Sequence, residues 1–213
     1  MKSNFVSVKD ETVRMFDNSF LEALSRVHPA VPLIIFLPVI FYMTYIAVIG
    51  FGINVSSFVL YFICGLAIWT FTEYFLHRFV FHLELPGKLG ARIHFIFHGV
   101  HHDYPNDSRR LVLPPSVSIP LALLFYLLFR QFIGEPAVFP FYSGFLTGYL
   151  CYDMIHYAIH HFRIENRLWK KIKEHHMRHH YVDANRGFGV SSAVWDKIIG
   201  TDFEKKDSTS IHN

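Results

Sequence analysis

Residues 27–72, VHPAVPLIIFLPVIFYMTYIAVIGFGINVSSFVLYFICGLAIWTFT, contain no Asp, Glu, Lys or Arg. As one helix these 46 residues would extend about 69 Å at 1.5 Å per residue, more than twice the roughly 30 Å hydrocarbon core of a bilayer. The run must turn back on itself. Gly50-Phe51-Gly52-Ile53-Asn54 is its one cluster of turn formers, so the pattern predicts a span over 31–50 and a second over 56–76.

Further along, residues 111–129 are again uncharged, Arg130 and Glu135 mark a short link, and 136–152 are uncharged up to Asp153. The expected fold is an all-α integral membrane protein. Four transmembrane helices form two hairpins, 31–76 and 111–159, with a histidine-bearing helical cap from 77–110 and 160–213 and an N-terminal segment, 1–29, all in one domain over 1–213. Composition agrees, since 52% of the 213 residues are hydrophobic and only 17% charged, against about a quarter charged in soluble domains. Such a chain is not a nucleic-acid binder. Residues 1–26 mix both signs of charge and lack the short apolar core of a cleavable signal. Cys64 and Cys151 lie in apolar runs and offer neither a disulfide framework nor a zinc-finger pattern.

Orientation follows from where Lys and Arg fall. Nineteen of the 20 sit in the N-terminal segment, the loop 77–110 and the tail from 160, and only Arg130 lies in the link between spans three and four. Both termini and the cap are therefore expected in the cytosol. Arg109 and Arg110, where span three begins, are read as interfacial anchors.

The chemistry lies in 15 histidines. Ten are clustered: His77 and His82; His98, His101 and His102; His156 and His160; His176, His179 and His180. Helical positions i, i+3 and i+4 share a face, so HxxHH is expected to project three imidazoles together and HxxxH two. His77 and His82 are five apart, about 140° on a straight α-helix, and the helix is expected to end or bend after His77. His175 and His161 fall off the shared faces, and His28 and His212 have no clustered neighbour. His94, one turn before His98, is a candidate to support a ligand. A structural zinc takes three or four ligands, so ten imidazoles suit two ions with about five nitrogens each. Their place beside lipid chains suits attack on an aliphatic C–H bond, which needs a redox metal and oxygen. Iron is expected, with zinc as a substitute in overproduced protein.

Four linked segments, EYFLHRFVFH (73–82), HFIFHGVHHDYPNDSRRLVLPP (94–115), GYLCYDMIHYAIHH (148–161) and KEHHMRHHYVDANRGFGVSSAVWDKIIGT (173–201), resemble the fatty acid hydroxylase branch of the sterol desaturase superfamily, and most closely its fatty acid 2-hydroxylases. The resemblance implies a non-haem di-iron centre held by the ten histidines. It implies O2 as co-substrate and hydroxylation at carbon 2 of a long acyl chain, free or within a sphingolipid. Sterol or carotenoid hydroxylases and desaturases share those histidines, and the segments YPNDSRR and GFGVSSAVW favour the 2-hydroxylase. Members with a fused haem domain carry HPGG, whereas here His28-Pro29 runs on to Ala-Val. Electrons are then expected from a separate cytochrome b-type or ferredoxin-type donor, in a bacterial inner membrane or the endoplasmic reticulum.

Around this centre, Glu73 and Asp153, each one turn before a ligand histidine, are candidates to orient imidazoles by hydrogen bonds. Tyr157, Phe188 and Trp195 are candidate substrate contacts. Tyr149, Tyr152 and Tyr157 could each donate near the site but are read first as an interfacial belt.

Overall fold

The computed structural model describes residues 5–203. Among them there is no strand, and nine α-helices and three π-helical turns follow in order: α1 (Ser19–Leu24), α2 (Val31–Tyr45), α3 (Val55–Phe75), α4 (Gly87–His94), α5 (Val100–Asp103), α6 (Pro115–Ile133), α7 (Val138–His161), α8 (Arg167–Tyr181) and α9 (Val194–Ile199). The π turns, Ile46–Gly50, Leu76–Phe81 and Phe95–Gly99, continue α2, α3 and α4.

Three stretches are long and apolar enough to cross a bilayer: Val31–Gly50, Val55–Phe81 and Pro115–Ile133. Their outward residues, among them Ile34, Phe41, Leu60, Ile63, Leu124 and Leu127, are exposed, and a helix apolar on every side belongs in lipid or a core. The turn falls where expected. Gly52 takes a positive φ of 64°, and the Asn54 side chain caps α3 by accepting from Ser57 N at 2.9 Å.

The expected fourth span is α7, which lacks the apolar character of the other three. It packs against α2, α3 and α6, and Ser143, Gly144, Gly148 and Asp153 are among its buried residues. A helix shielded by three neighbours need not be lipophilic on its surface. Phe36 and Ile40 of α2, Trp69 of α3 and Phe145, Leu146, Tyr149 and Tyr152 of α7 form the main core.

The N-terminal segment is a strap over the loop after α5. Val6 N donates to Asp103 O at 2.8 Å, Thr12 Oγ1 to Asp107 Oδ1 at 2.7 Å, and Arg110 reaches Val13 O. Arg110 is no headgroup anchor, because its side chain is buried and ion-paired to Glu22 at 2.6 Å. Arg109 stays exposed. The charge rule recognised a cation at a span start without seeing that the chain's own carboxylate lay above it. His212 lies outside the described residues.

Candidate metal centre

The helices meet at one end of the bundle, where ten imidazoles converge. His77, His82, His98, His102 and His179 form one group and His101, His156, His160, His176 and His180 another, with the candidate donor atoms of each group within 4.8 Å of one another. The division is not the one motif spacing suggests. In 98–102 the i, i+4 pair joins the first group and His101 the second; in 176–180 the i, i+4 pair joins the second and His179 the first. Residues i and i+3 are offset by about 60° on an α-helix. That angle is enough to aim neighbouring rings at two centres, so each motif bridges both groups instead of serving one.

The His77–His82 spacing is resolved by widening, not by a break. Across Leu76–Phe81 the helix becomes π, and His82 N donates to His77 O at 3.2 Å. An i→i+5 bond aligns residues five apart, and the two rings lie 5.0 Å apart.

Ring nitrogens approach as donors to a common point would. Nε2 of His77 lies 3.0 Å from that of His98, His82 3.0 Å from His179, His101 3.0 Å from His156, and His176 3.1 Å from His160 and 3.0 Å from His180. One Nε2 carries a single proton or a single lone pair, so His176 cannot make two ordinary hydrogen bonds to two such partners. A metal–nitrogen distance of about 2.0–2.1 Å gives edges of about 2.8–3.0 Å for right-angled ligands and about 3.3–3.4 Å for tetrahedral ones. The observed spacings are those of donors gathered about a common ion, with five candidate donors in each group.

The protonation state agrees. Burial pushes His82 and His101 down to about 3 and His179 to about 4, with neighbouring imidazoles adding to the shift for His82 and His101. His98, His102, His176 and His180 are likewise held well below the usual imidazole value, by burial first and neighbouring imidazoles second. Neutral rings keep the lone pair that a cation requires. In the first group two tautomers are set by the backbone: His77 Nδ1–H donates to Phe188 O at 2.5 Å and His179 Nδ1–H to Arg186 O at 2.8 Å. Nε2 is thereby left bare. In the second group Nδ1 of His156, His160, His176 and His180 is buried without a protein partner.

With this donor set in place, the wider comparisons have a clear subject. Residues 62–201 match the family model described as fatty acid hydroxylase. The chain belongs to the fatty acid hydroxylase family. A dihydroceramide fatty acyl 2-hydroxylase, FAH1, of Arabidopsis thaliana is 37% identical over 193 residues, covering 90% of this chain and 80% of that relative. The ceramide very long chain fatty acid hydroxylase SCS7 of Saccharomyces cerevisiae is 36% identical over 88% of this chain and 48% of its own length. The solved hydroxylase domain of full-length scs7p superposes with a TM-score of 0.83 at 35% identity, covering 90% of this chain and 72% of that one.

In this fatty acid hydroxylase the supporting residues differ from expectation. Glu73 bonds no imidazole; its carboxylate accepts from Val190 N at 2.7 Å and Ser191 N at 2.8 Å. Asp153 is fully buried and turns to the Tyr149 hydroxyl and the Leu113 backbone, while His156 Nδ1 has no hydrogen-bond partner, so Asp153 does not orient that ring. Sharing a helix face puts two groups one turn apart, whereas these imidazoles point onward to the metal side. His94 stays outside both groups, its ring 6.3 Å from His82 and its Cδ2 against Gly99, where a Cβ would sit 3.1 Å away. Off the clusters as expected, His175 meets Asp196 Oδ2 at 3.2 Å and His161 faces the carbonyls of Tyr157 and Asn106.

An apolar cleft between α3, α6 and α7 is lined by Trp69, Leu76, Phe81, Ser118, Phe125 and Tyr152, among others. Space wide enough for a water-sized sphere amounts to about 30 Å³. Of the expected substrate contacts, Tyr157 instead stacks on His161 at 4.2 Å, and Trp195 donates from Nε1 to Thr70 Oγ1 at 3.0 Å, pegging α9 to α3. The Phe188 ring stands 5.8 Å from His77 and 5.5 Å from His82, packed on the first group and not part of the cleft lining. Tyr149 and Tyr152, assigned to a belt, line the cleft instead. Ser116 and Ser118 both stand in the uncharged run 111–129, and only the structure, by burying Ser118, picks it out.

Proposed function

We propose that this chain is a single-domain membrane di-iron monooxygenase that hydroxylates carbon 2 of a long acyl chain, free or within a sphingolipid. One observation carries the reading: the cleft abuts both histidine groups. Phe81, which lines it, stacks on His98 at 5.4 Å, and Tyr152, which also lines it, lies 5.7 Å from His156. A chain lying there would run within one aromatic ring of each group. The names of the relatives, a dihydroceramide acyl 2-hydroxylase and a ceramide very long chain hydroxylase, support this substrate class and position.

His77, His82, His98, His102 and His179 would hold one iron and His101, His156, His160, His176 and His180 the other. The pair supplies reductive activation of O2, in which two electrons and two protons send one oxygen to water and the other to the C–H bond. The protein's part is position and exclusion of water. Leu76, Phe125 and Leu146 offer the acyl chain apolar contacts, and the Phe188 ring packs on the first group.

The lysine and arginine distribution supports four spans, with the cap and both termini cytosolic, in a bacterial inner membrane or the endoplasmic reticulum. Electrons would come from a separate cytochrome b-type or ferredoxin-type donor. Arg163, Arg167, Lys170 and Lys171, exposed on and before α8, form a basic face for an acidic protein. Zinc would replace iron readily in overproduced protein.

The test expresses the chain in membranes, measures bound iron, and analyses lipids with and without His101→Ala. Two irons per chain and 2-hydroxylated acyl chains that vanish in the variant are expected. A product with an added double bond and no added oxygen would refute hydroxylation, and undiminished product in the variant would refute the site.

A further inference from the structure

The segment 186–191, between α8 and α9, supplies no candidate ligand side chain, yet two of its carbonyls back the first histidine group. Phe188 C=O and Gly189 N–H belong to one planar, trans peptide unit and point in opposite directions. His77 Nδ1–H holds the oxygen edge at 2.5 Å. Asp196 Oδ2 holds the nitrogen edge, accepting from Gly189 N at 2.8 Å.

The same arrangement recurs two peptide planes earlier in this segment. Arg186 O accepts from His179 Nδ1–H, and Gly187 N, on the opposite edge of that unit, donates to Thr201 O at 3.0 Å. Thr201 is itself bound to Asp196, its hydroxyl donating to Oδ1 at 2.8 Å and its amide to Asp196 O at 2.8 Å. Asp196 Oδ1 also accepts from Phe188 N at 2.9 Å. Asp196 is fully buried and Gly189 is required beside it, since a Cβ there would lie 2.0 Å from Ser192 O. Glu73 anchors the next amides, Val190 and Ser191, and takes the Ser191 hydroxyl as well.

We propose that Asp196 is a positioning residue for the first histidine group, acting on His77 through the Phe188–Gly189 peptide plane and on His179 through Thr201, with Glu73 fixing the adjoining segment. A buried carboxylate on the amide edge polarises the peptide, makes its carbonyl a stronger acceptor, and so raises the basicity of the imidazole beyond it. This is a carboxylate–histidine–metal relay with a peptide unit inserted. The second group has no such backing, so the effect falls on one group alone. The inference rests on reading both groups as metal sites.

The test uses the full chain in detergent, stripped of metal and titrated anaerobically with ferrous iron alone. Asp196→Asn keeps the shape but turns one acceptor into a donor facing an amide. It is expected to weaken one of two ions about 10–100-fold, the usual scale for a partner behind a ligand, and leave the other unchanged. Added to His156→Ala, which disables the second group, it should weaken the one remaining ion by the same factor; added to His82→Ala it should change nothing further. Ser191→Ala, which removes only the hydroxyl bond to Glu73, is a milder probe of the same site and guards against misfolding of Asp196→Asn. Unchanged affinity for both ions, equal weakening of both, or a loss confined to the second group would overturn the proposal. Wild-type chain that takes up fewer than two ions would overturn the metal reading itself, and would show before any variant is made.

Discussion

Replacing Gly144 by Ala adds one methyl group at the closest approach of α3 and α7. A Cβ built there lies 2.0 Å from Phe62 O, whereas ordinary contact begins at 3.4 Å, so the helices must part locally by about 1.4 Å in an interior with no slack. The obstructing atom is backbone and cannot rotate aside. Gly65 meets Phe141 O and Gly148 meets the Trp69 side chain in the same seam, which is the small-residue spacing that lets membrane helices approach. Alanine gains about 1 kcal/mol over glycine in helix propensity, while overpacking costs typically about 1–3 kcal/mol; with a backbone clash of this depth the second effect wins. A net loss of about 1–2 kcal/mol is expected, seen as a melting temperature lower by roughly 2–8 °C for a chain of this size. Gly50→Ala is the control, because its nearest neighbour, Ile46 Cγ2, is 3.8 Å away, so its melting temperature should hold or rise. The assay is thermal unfolding of both variants in one detergent, with iron content measured alongside, since α3 carries His77 and α7 carries His156. If Gly144→Ala melts at or above wild type, the tight seam is not what holds the two halves of the site together.

Three other outcomes follow from the geometry. The clustered imidazoles outside the spans have folded-state values well below the ordinary 6.5, at about 3 for His82 and His101 and about 4 for His179, chiefly through burial. Their neutral state supports the fold above pH 6.5, and that support drains as pH falls below it. Metal-free wild type should therefore lose more melting temperature between pH 7 and 4 than His101→Gln, and an equal loss would contradict the burial. Burial alone would raise the Glu22 carboxyl, but the amides of Phe16 and Met15 and the Arg26 and Arg110 guanidiniums hold it down at about 2. Its contribution is complete above about pH 4.5 and disappears as pH falls toward 2, so the melting difference between wild type and Glu22→Gln should shrink over that interval; a constant difference would refute the strap's ion pair. Phe125→Ala opens the cleft where Phe125 meets Phe145 at 5.0 Å. Competition between acyl chains of different length should shift toward bulkier or longer substrates, read by mass spectrometry of the products, and an unaltered distribution would remove the cleft from the substrate path.

The sequence alone was enough for the properties that depend on one segment at a time. An uncharged run longer than a bilayer must fold into a hairpin, and its turn is legible because Gly52 and Asn54 are what a turn needs. Angular position along a single helix excluded His175 and His161 from the clusters, since that angle is local. What lay beyond it depends on how helices sit against one another. Whether His101 serves with His98 or with His156 is decided by two centres flanking α5, which no periodicity reveals. Glu73, Asp196 and Arg110 found partners 117, 7 and 88 residues away, so their roles came only from packing. The π turn at Leu76–Phe81 rewrote the five-residue spacing for the same reason. A widened turn is stabilised by the tertiary contacts of the rings it aligns, and a linear pattern read at α-helical pitch has no means of registering it.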